Sequence, residues 1–199
     1  MQEFYTTIDS KATTTYKDRG SKFIAYVFPI ENVDAFKIHL AEVKKEHPKA
    51  THYCFAYRLG VDNIIHRSSD DGEPPGTAGK PIMGQIDSKG LTNTLVIVVR
   101  YFGGTQLGIP GLIQAYKTAS ALVLQITPTK RLPVLRNYHL HFAYTQMNDI
   151  MHICKTHDVE IYSQEQNLFC DYKIGIPLVA LDITLEKLNE LESVEVREQ

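Results

Sequence analysis

Residues 66–104 read HRSSDDGEPPGTAGKPIMGQIDSKGLTNTLVIVVRYFGG, and no other stretch restricts the fold as strongly. Asp70, Asp71 and Glu73 place three carboxylates within four positions. Gly72, Gly76 and Gly79 permit backbone angles closed to other residues, while Pro74, Pro75 and Pro81 stiffen the path. Such a loop holds one shape. Pro81 suits the first turn of a short helix running to about Ile86, because its missing N–H costs nothing there. Thr94 to Val99 then predicts a central strand buried on both faces, ending in Arg100 and, after two aromatics, in Gly103 and Gly104.

Upstream, residues 12–18 and 22–30 are rich in β-branched and aromatic residues and flank a turn at Asp18–Ser21, the pattern of a hairpin. Asn32 is placed to cap a helix whose inward face carries Val33, Phe36, Leu40 and Val43, with Pro48 beyond its end. A strand over 51–59 puts Tyr53, Phe55, Tyr57 and Leu59 on one face and His52, Cys54, Ala56 and Arg58 on the other. Past Gly103, Gly104 and Gly108, Pro110 opens a long helix with Leu112, Ile113, Tyr116, Ala119 and Val123 inward, ending near Thr127.

Residues 128–134 read as a polar, proline-bounded linker, after which the pattern restarts. A strand over 135–144 is expected, then a helix capped by Thr145 with Met147, Ile150, Met151 and Cys154 inward. Two strands near 159–163 and 168–176, a leucine-spaced helix over 178–191 and a short strand at 194–196 follow. The order βαββαβ is ferredoxin-like. The expected fold class is α+β in two domains, residues 1–130 and residues 131–199.

The chain has the composition of a soluble globular protein, 43% hydrophobic and 22% charged. Its N-terminus lacks the basic start and apolar centre of a signal peptide, and no run is long enough to cross a membrane as a helix. A cytoplasmic protein is expected, with reduced, buried thiols at Cys54, Cys154 and Cys170. A net charge of −2 excludes a generally basic nucleic-acid binder. The charge is unevenly spread: Lys and Arg number 14 against 12 Asp and Glu in residues 1–128, and 7 against 11 in residues 129–199. An anionic partner is therefore expected to meet the first half, and the acidic second half suits docking to a protein.

The three loop carboxylates are weighed as a site for a hard cation, but their spacing lacks the Asp-x-Asp-x-Asp-Gly rhythm, and a structural loop is preferred. Two glycine turns precede helix starts, GTAGKP with Lys80 and GGTQLGIPG, and each is an anion-site candidate that matches neither phosphate-loop fingerprint. Arg100 reads either as a functional group at a strand end or as the ion-pair partner of Asp70, Asp71 or Glu73. The histidines show no metal spacing, although His66 borders the loop. No nucleophile elbow is present, and Ser68 and Ser69 read as turn or cap residues. No catalytic residue, metal ligand or cofactor is assigned.

Ser21 to Phe23, Ser69 to Pro81 (SDDGEPPGTAGKP) and Val98 to Tyr116 (VVRYFGGTQLGIPGLIQAY) together resemble the IMPACT family. That resemblance implies an N-terminal domain similar to domain IV of elongation factor G, with a left-handed crossover, and a C-terminal domain similar to its domain V. It also implies contact with RNA or the ribosome, since domain IV enters the decoding region. Eukaryotic family members restrain a starvation-activated translation kinase by competing for its activator, so a regulatory-protein partner is a further expectation. Bacterial members have no settled activity.

The function expected is that of a non-enzymatic, translation-associated regulator. RNA phosphates are expected to meet Arg19, Lys22, His66, Arg67, Lys80, Arg100 and Lys117. The signature loop comprises Asp70, Asp71, Gly72, Glu73, Pro74, Gly76, Thr77, Gly79 and Pro81, with Gly103 and Gly104. Two alternatives are a small enzyme or phosphometabolite binder using the DDGEPPGTAGKP loop, and a protein-docking module. No membrane partner is expected.

Overall fold

The computed structural model describes residues 2–62 and 64–199. The chain divides into two compact units, Tyr5–Leu132 and Pro133–Gln199, the second joined by the first residues up to Phe4.

The first unit is built on a five-stranded sheet of order β2-β3-β6-β4-β5, antiparallel throughout. The strands are β2 (Ala12–Asp18), β3 (Ser21–Pro29), β4 (His52–Leu59), β5 (Ile65–Ser69) and β6 (Thr94–Tyr101). β6 is central and buried along nearly its whole length, as its unbroken apolar run requires. The sheet is covered on both faces. Helix α1 (Val33–Glu46) lays Phe36 and Val43 against Phe55, Tyr57, Leu95 and Ile97 on one side. On the other, α2 (Gly79–Ser88) and α3 (Gly108–Ile126) pack Ile82, Ile86, Leu112, Ala115 and Tyr116 against Phe23, Ala25, Cys54, Val96 and Val98. The alternation in β4 sends Phe55 and Tyr57 to the first core and Cys54 and Ala56 to the second. Asn32 caps α1 by accepting a hydrogen bond from the Ala35 N–H at 2.9 Å.

Several expectations are corrected. His66 to Ser69 are the paired residues of edge strand β5 and not loop. The segment expected as a linker contains β7 (Thr129–Pro133), which pairs with β1 (Phe4–Ile8), a strand that the sequence pattern does not announce. Ile113 is 38% exposed on α3, because its neighbours Leu112 and Tyr116 take the buried face.

In the second unit, β8 (Leu135–Ala143), β9 (Glu160–Gln166), β10 (Phe169–Pro177) and β11 (Val194–Glu198) form an antiparallel sheet of order β11-β8-β10-β9. One face packs Leu140, Phe142, Tyr172 and Ile174 against α4 (Met147–Thr156) and α5 (Leu181–Asn189), giving the element order βαββαβ. Thr145 is not a cap: a 3₁₀ turn over Tyr144–Gln146 precedes α4, which has no side-chain cap. Ile153, not the 41% exposed Met151, completes its buried face.

Candidate functional site

The three segments singled out in the sequence converge at the end of the sheet where β3 begins and β6 ends. There the register sets Phe23 against Arg100 and Lys22 against Tyr101, with His52 on the far side of Arg100. Each loop carboxylate has a separate structural task. Asp70 caps α2 from eight residues upstream: Oδ1 accepts from the Ala78 N–H at 2.9 Å and the Gly79 N–H at 2.8 Å, and Oδ2 accepts from the Gly76 N–H at 2.9 Å. Asp71 accepts the Tyr53 N–H at 2.6 Å and tethers the loop to β4, while its carbonyl accepts from Nδ1 of His52 at 2.7 Å. Glu73 turns inward and is 7% exposed.

At Glu73 a buried polar network is assembled. Oε1 accepts from Nη1 of Arg100 at 2.6 Å and from the Tyr116 hydroxyl at 2.7 Å, and Nε2 of His52 lies 3.8 Å away. Arg100 also reaches Ser21 Oγ at 3.4 Å, and its guanidinium lies over the rings of Phe23 and Phe102, 5.5 and 5.6 Å from their centres. Cys54 Sγ donates to the Asp70 carbonyl at 3.0 Å and contacts the Tyr116 hydroxyl at 3.3 Å. Burial pushes both the Cys54 thiol and the Tyr116 phenol far up, which favours the neutral form of each. Ser21, His52, Cys54 and Tyr116 do not stand out as site residues in the sequence. A hydroxyl in the Ser21 motif and the His52/Cys54 face of β4, aligned with the strand end that carries Arg100, are the signals that point to them.

The glycines here meet two kinds of demand. A Cβ on Gly79 would lie 2.8 Å from the Ser69 N, so α2 can start against β5 only without a side chain. A Cβ on Gly103 would fall 1.9 Å from the Gly20 carbonyl carbon, where the β2–β3 turn lies directly on the YFGG segment. Gly72, Gly76 and Gly104 instead adopt positive φ, at +88°, +78° and +85°. Thr77 Oγ1 donates to the Pro74 carbonyl at 2.7 Å and closes the loop before Pro81, in the first turn of α2.

The cations expected to meet phosphate are not gathered into one patch. Arg19 and Lys22 are exposed at the β2–β3 hairpin, whereas His66 and Arg67 are exposed on β5 at the other edge, about 14 Å away across the strands and, with Lys22 level with Tyr101 and Arg67 level with Leu95, about 20 Å along them. Lys80 and Lys117 are exposed on α2 and α3. Arg100 is corrected as a phosphate contact: it is 5% exposed and its Nη1 is committed to Glu73. Of its two sequence readings, the ion pair is the one observed. The loop carboxylates are engaged within the protein, Asp70 and Asp71 by backbone amides and Glu73 by Arg100. At the GTAGKP anion-site candidate, the Asp70 carboxylate already accepts from the Ala78 and Gly79 amides at the start of α2.

Asp70 gives the site a pH dependence. Burial raises its carboxyl pKa, but the N–H groups of Gly76, Gly79 and Ala78 outweigh burial and hold it below the ordinary 3.8. A depressed folded pKa means that its stabilisation is present above the unfolded value and is lost as pH falls through the folded one. Replacing Asp70 with alanine is expected to cost about 1–2 kcal/mol at neutral pH. In urea unfolding across a pH series, the gap to the parent protein should close as pH falls below 3.8. A gap of constant size from neutral to acid pH would refute the charged-cap account.

The Impact N-terminal domain family matches residues 19–124 of this chain. The chain is 33% identical over 167 residues to the IMPACT family member YigZ of Escherichia coli, covering 83% of this chain and 82% of that protein. It is 33% identical over 96 residues to Protein IMPACT of Rattus norvegicus, covering 46% of this chain and 30% of that protein. A crystal structure of a hypothetical protein superposes with a TM-score of 0.77 and 29% identity, covering 98% of this chain and 97% of its own.

Proposed function

This chain belongs to the IMPACT family, and on that premise we propose that it is a non-enzymatic regulator associated with translation, binding RNA or the ribosome through its N-terminal domain. In this reading residues 1–130 form the IMPACT-type domain, similar to domain IV of elongation factor G, and residues 131–199 form a ferredoxin-like domain similar to its domain V. The observation that carries it is the surface presented where the three motif segments meet. Arg19, Lys22, Phe102, Gly103 and Gly104 are all exposed there, beside a loop fixed by the Glu73–Arg100 pair. Lys22, Lys80 and Lys117 have no ion-pair partner among the described residues and are available to phosphates. Arg67, above the Phe55 ring, and His66 form a separate exposed stretch on edge strand β5. A buried, neutral Cys54 and a Glu73 already paired favour binding over catalysis.

Phosphate contacts release counterions, so affinity for structured RNA or ribosomes should fall with a log–log salt slope of roughly −0.7 to −0.9 per contact. Lys22→Glu and Arg67→Glu should each weaken binding at low salt and flatten that slope by about one contact. Filter binding between low and moderate salt reads both quantities. No binding of ribosomes or structured RNA at low salt would sink the proposal.

A further inference from the structure

Of the two glycine-preceded helix starts, α2 is filled by the Asp70 carboxylate and α3 is open. We infer that the cavity between the end of β6 and the first turn of α3 binds a nucleotide unit, with its phosphate on the N–H groups of Gly108 and Ile109 and its base on Phe102. The choice of a base-bearing phosphate rests on the RNA-binding reading; the site itself rests on four observations. First, the cavity measures about 330 Å³, a size suited to a small ligand, with Pro74, Phe102, Leu107, Ile109 and Leu112 as its apolar walls.

Second, α3 has no side-chain cap and no acidic residue in its first turn. The Gly108 and Ile109 N–H groups therefore have no acceptor within the helix, at the end where the helix dipole favours negative charge. Third, Arg100 lines the cavity with a side chain 6% exposed, and its Nε is buried without a hydrogen-bond partner. Glu73 also lines the cavity, but its charge is offset by Arg100 Nη1 at 2.6 Å and its Oε1 also accepts the Tyr116 hydroxyl. Fourth, Phe102 stays 50% exposed beside the buried guanidinium, as a platform on which a base of any identity can stack. Gln106, exposed on the rim, brings an amide donor and acceptor to the edge of that base.

Amide NMR of the full-length protein tests the inference, with uridine 5′-monophosphate, uridine, inorganic phosphate and a short uridine oligonucleotide as probes. The mononucleotide and the oligonucleotide should shift the Gly108 and Ile109 amides saturably, and uridine or phosphate alone should bind at least tenfold more weakly. Tighter binding of the oligonucleotide would identify an RNA strand as the ligand's source, and equal or tighter binding of the mononucleotide a free nucleotide. Phe102→Ala should weaken binding at least tenfold and Phe102→Tyr should preserve it. Ile109→Asp supplies the missing first-turn carboxylate, so it should raise or leave unchanged the melting temperature while abolishing the shifts. Equal affinity for phosphate and mononucleotide would overturn the assignment. So would RNA binding undiminished in Phe102→Ala and Ile109→Asp with unmoved Gly108 and Ile109 amides, a result that leaves the RNA-binding proposal standing. Conversely, mononucleotide shifts without any RNA binding would refute that proposal and leave the cavity assignment intact.

Discussion

Replacing Glu73 with alanine is expected to destabilise the protein by about 3–5 kcal/mol, the scale on which breaking a buried ion pair strands its partner. The guanidinium of Arg100 would keep Ser21 Oγ at 3.4 Å and the faces of Phe23 and Phe102, but it would lose its 2.6 Å carboxylate and with it charge neutrality. Tyr116 would lose the acceptor of its hydroxyl in the same step. Removing both charges should be less harmful than removing one. The double variant Glu73→Leu/Arg100→Met is expected to recover at least half of the loss, because apolar replacement of a whole buried pair is often close to neutral. Urea unfolding, with hydrogen exchange at the β6 amides locating the loss in the first unit, gives the comparison. A Glu73→Ala cost below about 1 kcal/mol, typical of an exposed pair, would show that the network does not hold the loop.

The Arg100 pair also marks how far sequence alone could reach. A charge at the end of five apolar residues had to be neutralised, and three nearby carboxylates were available; choosing Glu73 over Asp70 and Asp71 required the path of the loop. Asp70 and Asp71 accept backbone amides, a role any loop carboxylate can fill and one that no spacing announces. The hairpin, the Asn32 cap, the alternation of β4 and the burial of β6 were legible because each rests on local periodicity or a local hydrogen bond. Strand β5 was not. All of Ile65 to Ser68 are exposed on an edge, so β5 lacks the one-faced burial that gives a strand its alternating pattern. The same holds for β7, whose Thr129 to Arg131 are exposed and which reads as a linker until β1 is placed beside it. The α3 cavity was legible only in part: GGTQLGIPG marked an anion-site candidate, but the contrast with the other helix start, where Asp70 takes the amides, came only from the fold.

Gly103→Ala is expected to cost about 3 kcal/mol or more, at the upper end for inserting a single methyl group into close packing. Its Cβ would lie 1.9 Å from the Gly20 carbonyl carbon and 2.2 Å from both the Gly20 oxygen and the Ser21 nitrogen. These are backbone atoms, which no rotamer change can move aside. Gly104→Ala is the matched control: the residue sits in the same exposed segment at φ +85° with nothing within 4 Å of its Cβ. Only backbone strain of about 1 kcal/mol is expected there. Thermal or urea unfolding of the two variants separates close approach from φ. Equal losses would mean that the contact between the hairpin turn and YFGG is not the constraint. Displacing the turn also pulls Ser21 from the Gly103 N–H, which it accepts at 3.3 Å, and from Arg100. The Gly103 and Glu73 substitutions therefore act on one network from opposite sides. Combined, they should cost less than the sum of their separate effects, because the second removes support from a guanidinium the first has already freed.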